Sequence, residues 1–175
     1  MTDQSSMTTW NVAFYLGSAI VVLGTGALVL LYHYQNNLMY MPSPPGLPET
    51  PDDNPEGYRM PSEWTVKGSL PKVFENIERI PYEDVLIETD DKEKLHAWLL
   101  VQKESLQVPT LIYFHGNAGN MGFRLPNAAE MYAKVGMNIL MVDYRGYGKS
   151  TGIPTEKGLK LDANAVLKFL LNHKK

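Results

Sequence analysis

The chain contains no cysteine. Disulfides, thiolate zinc sites and cysteine nucleophiles are excluded, although this absence does not choose a cellular compartment. Basic charge is not in excess either: the net charge is -3 at pH 7 and the pI about 5.8. Nucleic-acid binders usually show a basic patch and a high pI, so that class is set aside. No Asn-x-Ser/Thr sequon occurs, which leaves lumenal exposure without support. The most informative absence is local. Between Gln4 and Pro48 there is no Asp, Glu, Lys or Arg.

Within that uncharged run, residues 12–34 read VAFYLGSAIVVLGTGALVLLYHY. As a helix this stretch reaches ~35 Å at ~1.5 Å per residue. A bilayer core of ~30 Å takes about 20 mostly apolar residues. Trp10, Tyr15, Tyr32 and Tyr34 stand near the ends, where amphipathic rings favour the interface. A cleaved signal peptide needs a basic n-region and a small-residue cleavage site; here Asp3 precedes the run and no Lys or Arg does. An interfacial helix needs a charged face. The pattern therefore predicts a single-pass transmembrane helix over 12–34 after an N-terminal tail of 1–11, with the lipid bilayer as a partner. The first Lys or Arg after the span is Arg59, so charge asymmetry sets neither orientation nor organelle.

Residues 35–79 read as a juxtamembrane linker. Pro42 to Pro61 holds seven of the twelve prolines, with Asp52, Asp53 and Glu56 among them. This composition predicts a stiff, solvated spacer. From residue 80 the pattern changes. Residues 85–89 and 95–101 form two apolar runs around the charged turn Asp90 to Lys94, a β-hairpin signal. Thr110 to Phe114 suits a strand buried on both faces. Leu125 to Val135 has helical spacing, and Gly136 suits its C-terminal cap. Asn138 to Val142 is another apolar strand. Thr155 is a candidate N-cap, and Leu159, Ala163, Val166 and Leu170 recur on one helical face. Strand-helix alternation with buried strands predicts an α/β fold with a parallel sheet.

Two glycine-rich loops invite chemistry. Gly148-Lys149-Ser150-Thr151-Gly152 spells G-x-S-x-G, the letters of a serine-hydrolase nucleophile turn. That turn must follow its strand directly and open a helix. Here the apolar strand ends at Val142, and Gly152 and Pro154 follow Ser150, residues that oppose helix formation. The same letters end like a phosphate-binding loop, but Asp143 occupies the position of its first glycine. Gly116, Gly119 and Gly122 have G-x-x-G-x-x-G spacing, which departs from the dinucleotide fingerprint, although Asp143 lies ~20 residues on at a strand end. Ser150 thus reads as a turn residue, and nucleotide binding has little to carry it. His33, His96 and His173 fall at the span end, on the hairpin and in the tail, with nothing to single them out.

The segments IYFHGNAGN, RLPNA, NILMVDYRGYGKS and GL..D..AVL.FL, covering about residues 81–171, resemble the serine α/β-hydrolases. They are most similar to the membrane-anchored subgroup that contains alpha/beta hydrolase domain-containing protein 13, and QNNLMYMP resembles that subgroup's exit from the membrane. The resemblance implies the N-terminal part of an α/β-hydrolase fold over 80–175: a β-hairpin, then β-α-β-α. It implies an oxyanion-hole loop at His115, Gly116, Asn117 and Ala118, with the Asn117 amide the leading donor and Ala118 second. A preorganised amide there stabilises the negative oxygen of a tetrahedral intermediate. His115 is then a structural histidine, and Asp143 and Arg145 hold loops together through charge-assisted bonds.

In this fold the nucleophile, acid and histidine follow in that order after the fifth strand. The resemblance therefore places the triad beyond Lys175, with no catalytic triad residue, metal or cofactor in the chain itself. The expected function is the N-terminal portion of a membrane-anchored serine hydrolase acting on an ester or thioester, of a lipid or an acylated protein, through an acyl-enzyme. The other reading is a short, catalytically inactive form acting as an anchored interaction protein. The subgroup's usual arrangement implies a type II orientation.

Overall fold

The computed structural model of the chain describes residues 3–64 and 79–173. It divides into two compact units, Met1–Met39 and Tyr40–Lys175. The first is one helix, α1 (Asp3–Met39). It extends beyond the expected 12–34 span at both ends, so residue 3 onward of the expected tail and residues 35–39 of the expected linker are helical. No proline interrupts the run until Pro42, and Gln35 Nε2 bonds back to the Tyr32 carbonyl at 2.9 Å. Its apolar side chains are exposed, Leu23 at 73 % and Ile20 at 70 %. Thr8–Met39 is long and apolar enough to cross a membrane.

The second unit is built on a mixed four-stranded sheet. The strands are β1 (Tyr82–Glu88), β2 (Lys94–Leu100), β3 (Thr110–Phe114) and β4 (Asn138–Val142), and their order is β1-β2-β4-β3. β1 pairs antiparallel with β2, β2 antiparallel with β4, and β3 parallel with β4. Two helices follow the parallel strands, α2 (Leu125–Val135) and α3 (Glu156–Asn172). Alternation along β2 and β4 sends side chains to opposite faces. Trp98, Leu100, Ile139 and Met141 meet Leu125, Ala128, Ala129 and Tyr132 of α2. Leu95, Ala97, Leu99, Leu140 and Val142 meet Ala165 and Val166 of α3. Gly136 caps α2 at φ 71°, and the Thr155 hydroxyl accepts the Gly158 amide at the start of α3.

Three expectations change. The sheet is mixed, because the hairpin joins the parallel pair through β2. β3 is partly buried to exposed rather than buried on both faces, because it is the edge strand of the four. On α3 the buried positions are Gly158, Asp162, Ala165 and Val166; Ala163 is exposed. A carboxylate occupies that face because a buried guanidinium meets it.

Residues 40–64 also differ from a solvated spacer. They are part of the second unit, folded through short 3-10 turns at Pro51–Asp53 and Pro61–Glu63, with Pro51, Asn54 and Pro61 buried. Asn54 Nδ2 donates to Asn120 Oδ1 at 2.8 Å, and Asn120 Nδ2 returns a bond to Asn54 Oδ1 at 3.1 Å. A Cβ on Gly122 would overlap the Tyr58 carbonyl, so glycine lets this segment close down. Residues 65–78 of the expected linker lie outside the described residues. Asn54→Ala removes the paired Asn54–Asn120 bonds and the bond to the Tyr58 carbonyl, leaving Asn120 Nδ2 only the longer contacts to the Pro48 and Glu49 carbonyls at 3.3 and 3.5 Å, and is expected to lower stability by about 1–2 kcal/mol. Urea unfolding in detergent, followed by tryptophan fluorescence, measures this; an unchanged midpoint would mean the segment is not docked.

Candidate functional site

Because β3 and β4 are parallel and aligned with Phe114 opposite Val142, the loops after them leave the same end of the sheet. In open α/β sheets that carboxyl end is where ligands bind. The loop after β3 carries His115, Gly116, Asn117 and Ala118, and the loop after β4 carries Asp143, Arg145 and Ser150. The fold brings all of these sequence-chosen residues to one edge.

Asp143 is fully buried at the root of both loops. Its Oδ1 accepts the Met121 amide at 2.6 Å and lies 3.3 Å from His115 Nε2. Its Oδ2 lies 3.7 Å from His96 Nδ1, whose ring partner Nε2 meets Asp84 Oδ1 at 2.9 Å. Burial works against ionisation of Asp143, yet the two imidazoles and the Met121 amide outweigh it and hold the carboxyl below the usual aspartate range. His96, bland in the sequence, is therefore buried beside the site. The other His115 nitrogen, Nδ1, meets the Gly116 carbonyl at 2.7 Å, which pins the ring in the loop.

Arg145 is buried and forked. Nη1 and Nη2 donate to Asp91 at 2.8 and 3.0 Å. Nε and Nη2 reach Asp162 Oδ1 at 2.9 and 2.7 Å, and the Arg145 amide donates to Asp162 Oδ2 at 3.1 Å. This ties the β4 loop to the hairpin turn and to α3. The Arg145 bonds hold the Asp91 carboxyl far below its ordinary range, with the Thr89 hydroxyl assisting. The sequence reading missed Asp91 and Asp162. A signal for Asp162 existed: it lies three residues after Leu159 and four before Val166, a lone carboxylate on an apolar stripe.

Ser150 is occupied by backbone. Its hydroxyl donates to the Asp143 carbonyl at 2.8 Å and accepts the His96 amide at 2.9 Å. Thr151 likewise accepts the Lys94 amide at 2.9 Å. The segment 150–151 thus closes the end of β2. No helix starts there; α3 begins at Glu156. The flanking glycines answer to packing, since a Cβ on Gly148, at φ 54°, would overlap the Asp143 carboxylate.

In the other loop, Gly116 and Asn117 are exposed and Ala118 is partly buried. The Tyr144 hydroxyl donates to the His115 carbonyl at 2.9 Å. The Tyr147 hydroxyl reaches Asn117 Oδ1 at 2.9 Å. Neither tyrosine carried a signal in the sequence beyond its place in a glycine-rich loop. Among the described residues no group of three or more His, Asp or Glu is placed to hold a metal ion.

No family model matches the chain. Protein bem46 of Schizosaccharomyces pombe is 41 % identical over 174 residues, which is 99 % of this chain and 52 % of that protein. The alpha/beta hydrolase domain-containing protein WAV2 of Arabidopsis thaliana is 34 % identical over 90 % of this chain and 44 % of its own length. An uncharacterized membrane protein of Saccharomyces cerevisiae, YNL320W, is also 34 % identical, over 92 % of this chain and 49 % of its own. The chain carries the N-terminal part of an α/β-hydrolase fold. That fold accounts for a mixed sheet whose two glycine-rich loops meet at one edge. The chain spans about half the length of the curated relatives it matches. Among solved structures, the Pyrococcus furiosus esterase Pf2001 is 31 % identical, with a TM-score of 0.47 over 63 % of this chain and 40 % of the esterase.

Proposed function

We propose that this chain contributes the anchored, oxyanion-forming part of a serine hydrolase that cleaves an ester or thioester through an acyl-enzyme. The observation that carries the reading is the loop His115 to Ala118. It leaves the carboxyl end of β3 beside the β4 loop, on a base of buried Asp143, and in this reading its backbone amides meet the developing charge of an acyl oxygen. In this reading Asn117 or Ala118 donates one of the two hydrogen bonds. In this reading the nucleophile, acid and histidine belong to the length of the relatives that this chain does not span. α1 is proposed to span the membrane as a single-pass anchor, and the acyl group to belong to a lipid or an acylated protein.

The full-length protein that carries this sequence is expected to label with a serine-directed fluorophosphonate in membranes. Labelling should survive Ser150→Ala, because that hydroxyl closes a turn. Absence of labelling in the parent protein would sink the hydrolase reading. Labelling of the parent that vanishes in the folded Ser150→Ala variant would reinstate G-x-S-x-G as the nucleophile turn. Carbonate washing tests the anchor in the same membranes; release of the protein into the wash would refute it.

A further inference from the structure

An oxyanion donor works only if it is aimed: it must sit ~2.7–3.1 Å from the developing oxygen, and a misplacement of about 1 Å can cost roughly a hundredfold in rate. Residues 115–120 contain Gly116 and Gly119, whose backbones have more freedom than those of other residues, so contacts from outside the loop matter to its order. Its two ends are fixed. His115 is buried against Asp143 with its carbonyl bonded by Tyr144, and Asn120 is buried against Asn54. The middle, Asn117 and Ala118, is held differently. The Tyr147 hydroxyl bonds Asn117 Oδ1 at 2.9 Å and faces the Asn117 carbonyl at 3.2 Å. The same oxygen accepts the Met41 amide at 3.2 Å. Met41 is also bridged in parallel to Ala118. A phenol has one proton to give and accepts in return, so both its roles are engaged.

The Tyr147 ring cannot follow a wandering loop. It is 1 % exposed, with the His115 and Tyr144 rings edge-on to it at 5.5 and 5.8 Å between centroids. We propose that Tyr147 is the positioning residue of the oxyanion loop, and that the isolated bridge at Met41, two residues after the last residue of α1, locks Tyr147 and Ala118 together. Tyr147 touches no reacting atom; it acts through Asn117. The order of the loop is thereby tied to the stretch of chain that leaves the anchor helix. The catalytic consequence rests on the hydrolase reading above, while the clamp itself does not.

Two variants test it, Tyr147→Phe and Met41→Pro. The first removes the hydroxyl and keeps the ring. The second removes the amide proton of a half-exposed residue. Hydrogen exchange on the 175-residue chain in detergent reads the clamp without any need for catalysis. Both variants are expected to raise exchange at residues 116–118 about tenfold and to leave β4 unchanged. Turnover of a p-nitrophenyl ester by the full-length protein reads the consequence: kcat falls roughly tenfold with KM within twofold. Unchanged exchange at 116–118 overturns the clamp; raised exchange with kcat unchanged overturns the positioning role proposed for it. If Tyr147→Phe also loosens β4 and so reports unfolding, Met41→Pro decides by the same criterion. Raised loop exchange in the variants of a parent protein that hydrolyses no ester would uphold the clamp and overturn the hydrolase reading.

Discussion

Replacing Arg145 by methionine is expected to destabilise the Tyr40–Lys175 unit by about 3–5 kcal/mol, the cost of removing one partner from a buried ion pair. Methionine keeps an unbranched apolar stem while removing the guanidinium, its charge and its hydrogen bonds to Asp91 and Asp162. Asp162 is fully buried, and its side-chain partners in this cluster come from Arg145. Without the guanidinium a carboxylate stays inside with only the Arg145 amide to face it. The double variant with Asp162→Leu removes that stranded charge and should recover most of the loss, because a buried ion pair gains little over well-packed apolar groups. Urea denaturation of the single and double variants measures both; a loss below about 1 kcal/mol in the single variant would contradict this account.

The same cluster gives an acid limb. Arg145 and Thr89 hold the Asp91 carboxyl below its ordinary value. A group whose folded pKa is depressed stabilises above its unfolded pKa, and the contribution is lost as pH falls below that value. The parent protein should lose stability as pH drops below about 4, and Arg145→Met should flatten that loss. An equally steep acid limb in the variant would assign it to other carboxylates, Asp143 first among them.

Gly148→Ala is expected to cost about 2–4 kcal/mol, the sum of a strained left-handed residue and an overpacked interior. Gly136→Ala separates the two contributions. Both glycines have positive φ, 54° and 71°, but a Cβ on Gly136 meets nothing within 4 Å while one on Gly148 runs into Asp143. Gly136→Ala should therefore cost only about 1 kcal/mol. Equal losses at the two positions would show that backbone strain alone explains Gly148. This contrast also explains the G-x-S-x-G letters. Gly148 passes over a buried carboxylate, and Ser150 closes backbone at the end of β2.

Much of the fold was legible from periodicity. The runs at 110–114 and 138–142 coincide with β3 and β4, and 125–135 with α2. These are short apolar segments bounded by polar or glycine-rich turns, where local pattern and tertiary environment agree. The failures share one cause. Proline content suggested a solvated spacer, yet residues 40–64 are folded onto the domain, because a pair of asparagines and a small residue at Gly122 make a docking site that composition does not reveal. Ala163 looked as good as its neighbours for the buried face of α3. Asp162 took that face because Arg145, seventeen residues earlier, needs a counter-charge there.

The candidate site divides in the same way. The resemblance carried by the HGNAGN and DYRGYGKS segments picked out both loops, and their meeting at one sheet edge follows once β3 and β4 are parallel. Apart from Asp162, a lone carboxylate on its apolar stripe, what holds those loops was invisible along the chain: His96 beneath Asp143, Asp91 on Arg145, Tyr147 and Met41 on Asn117 and Ala118. The sequence by itself determined the uncharged helical run, the strands and helices, and the residue types at the loops, because those depend on neighbours a few positions away. Only the tertiary structure decided which charges are paired, why Ser150 is a turn residue and what aims the loop after β3. Hydrogen bonds between residues as far apart as Met41 and Tyr147 exist only once the sheet has brought them together.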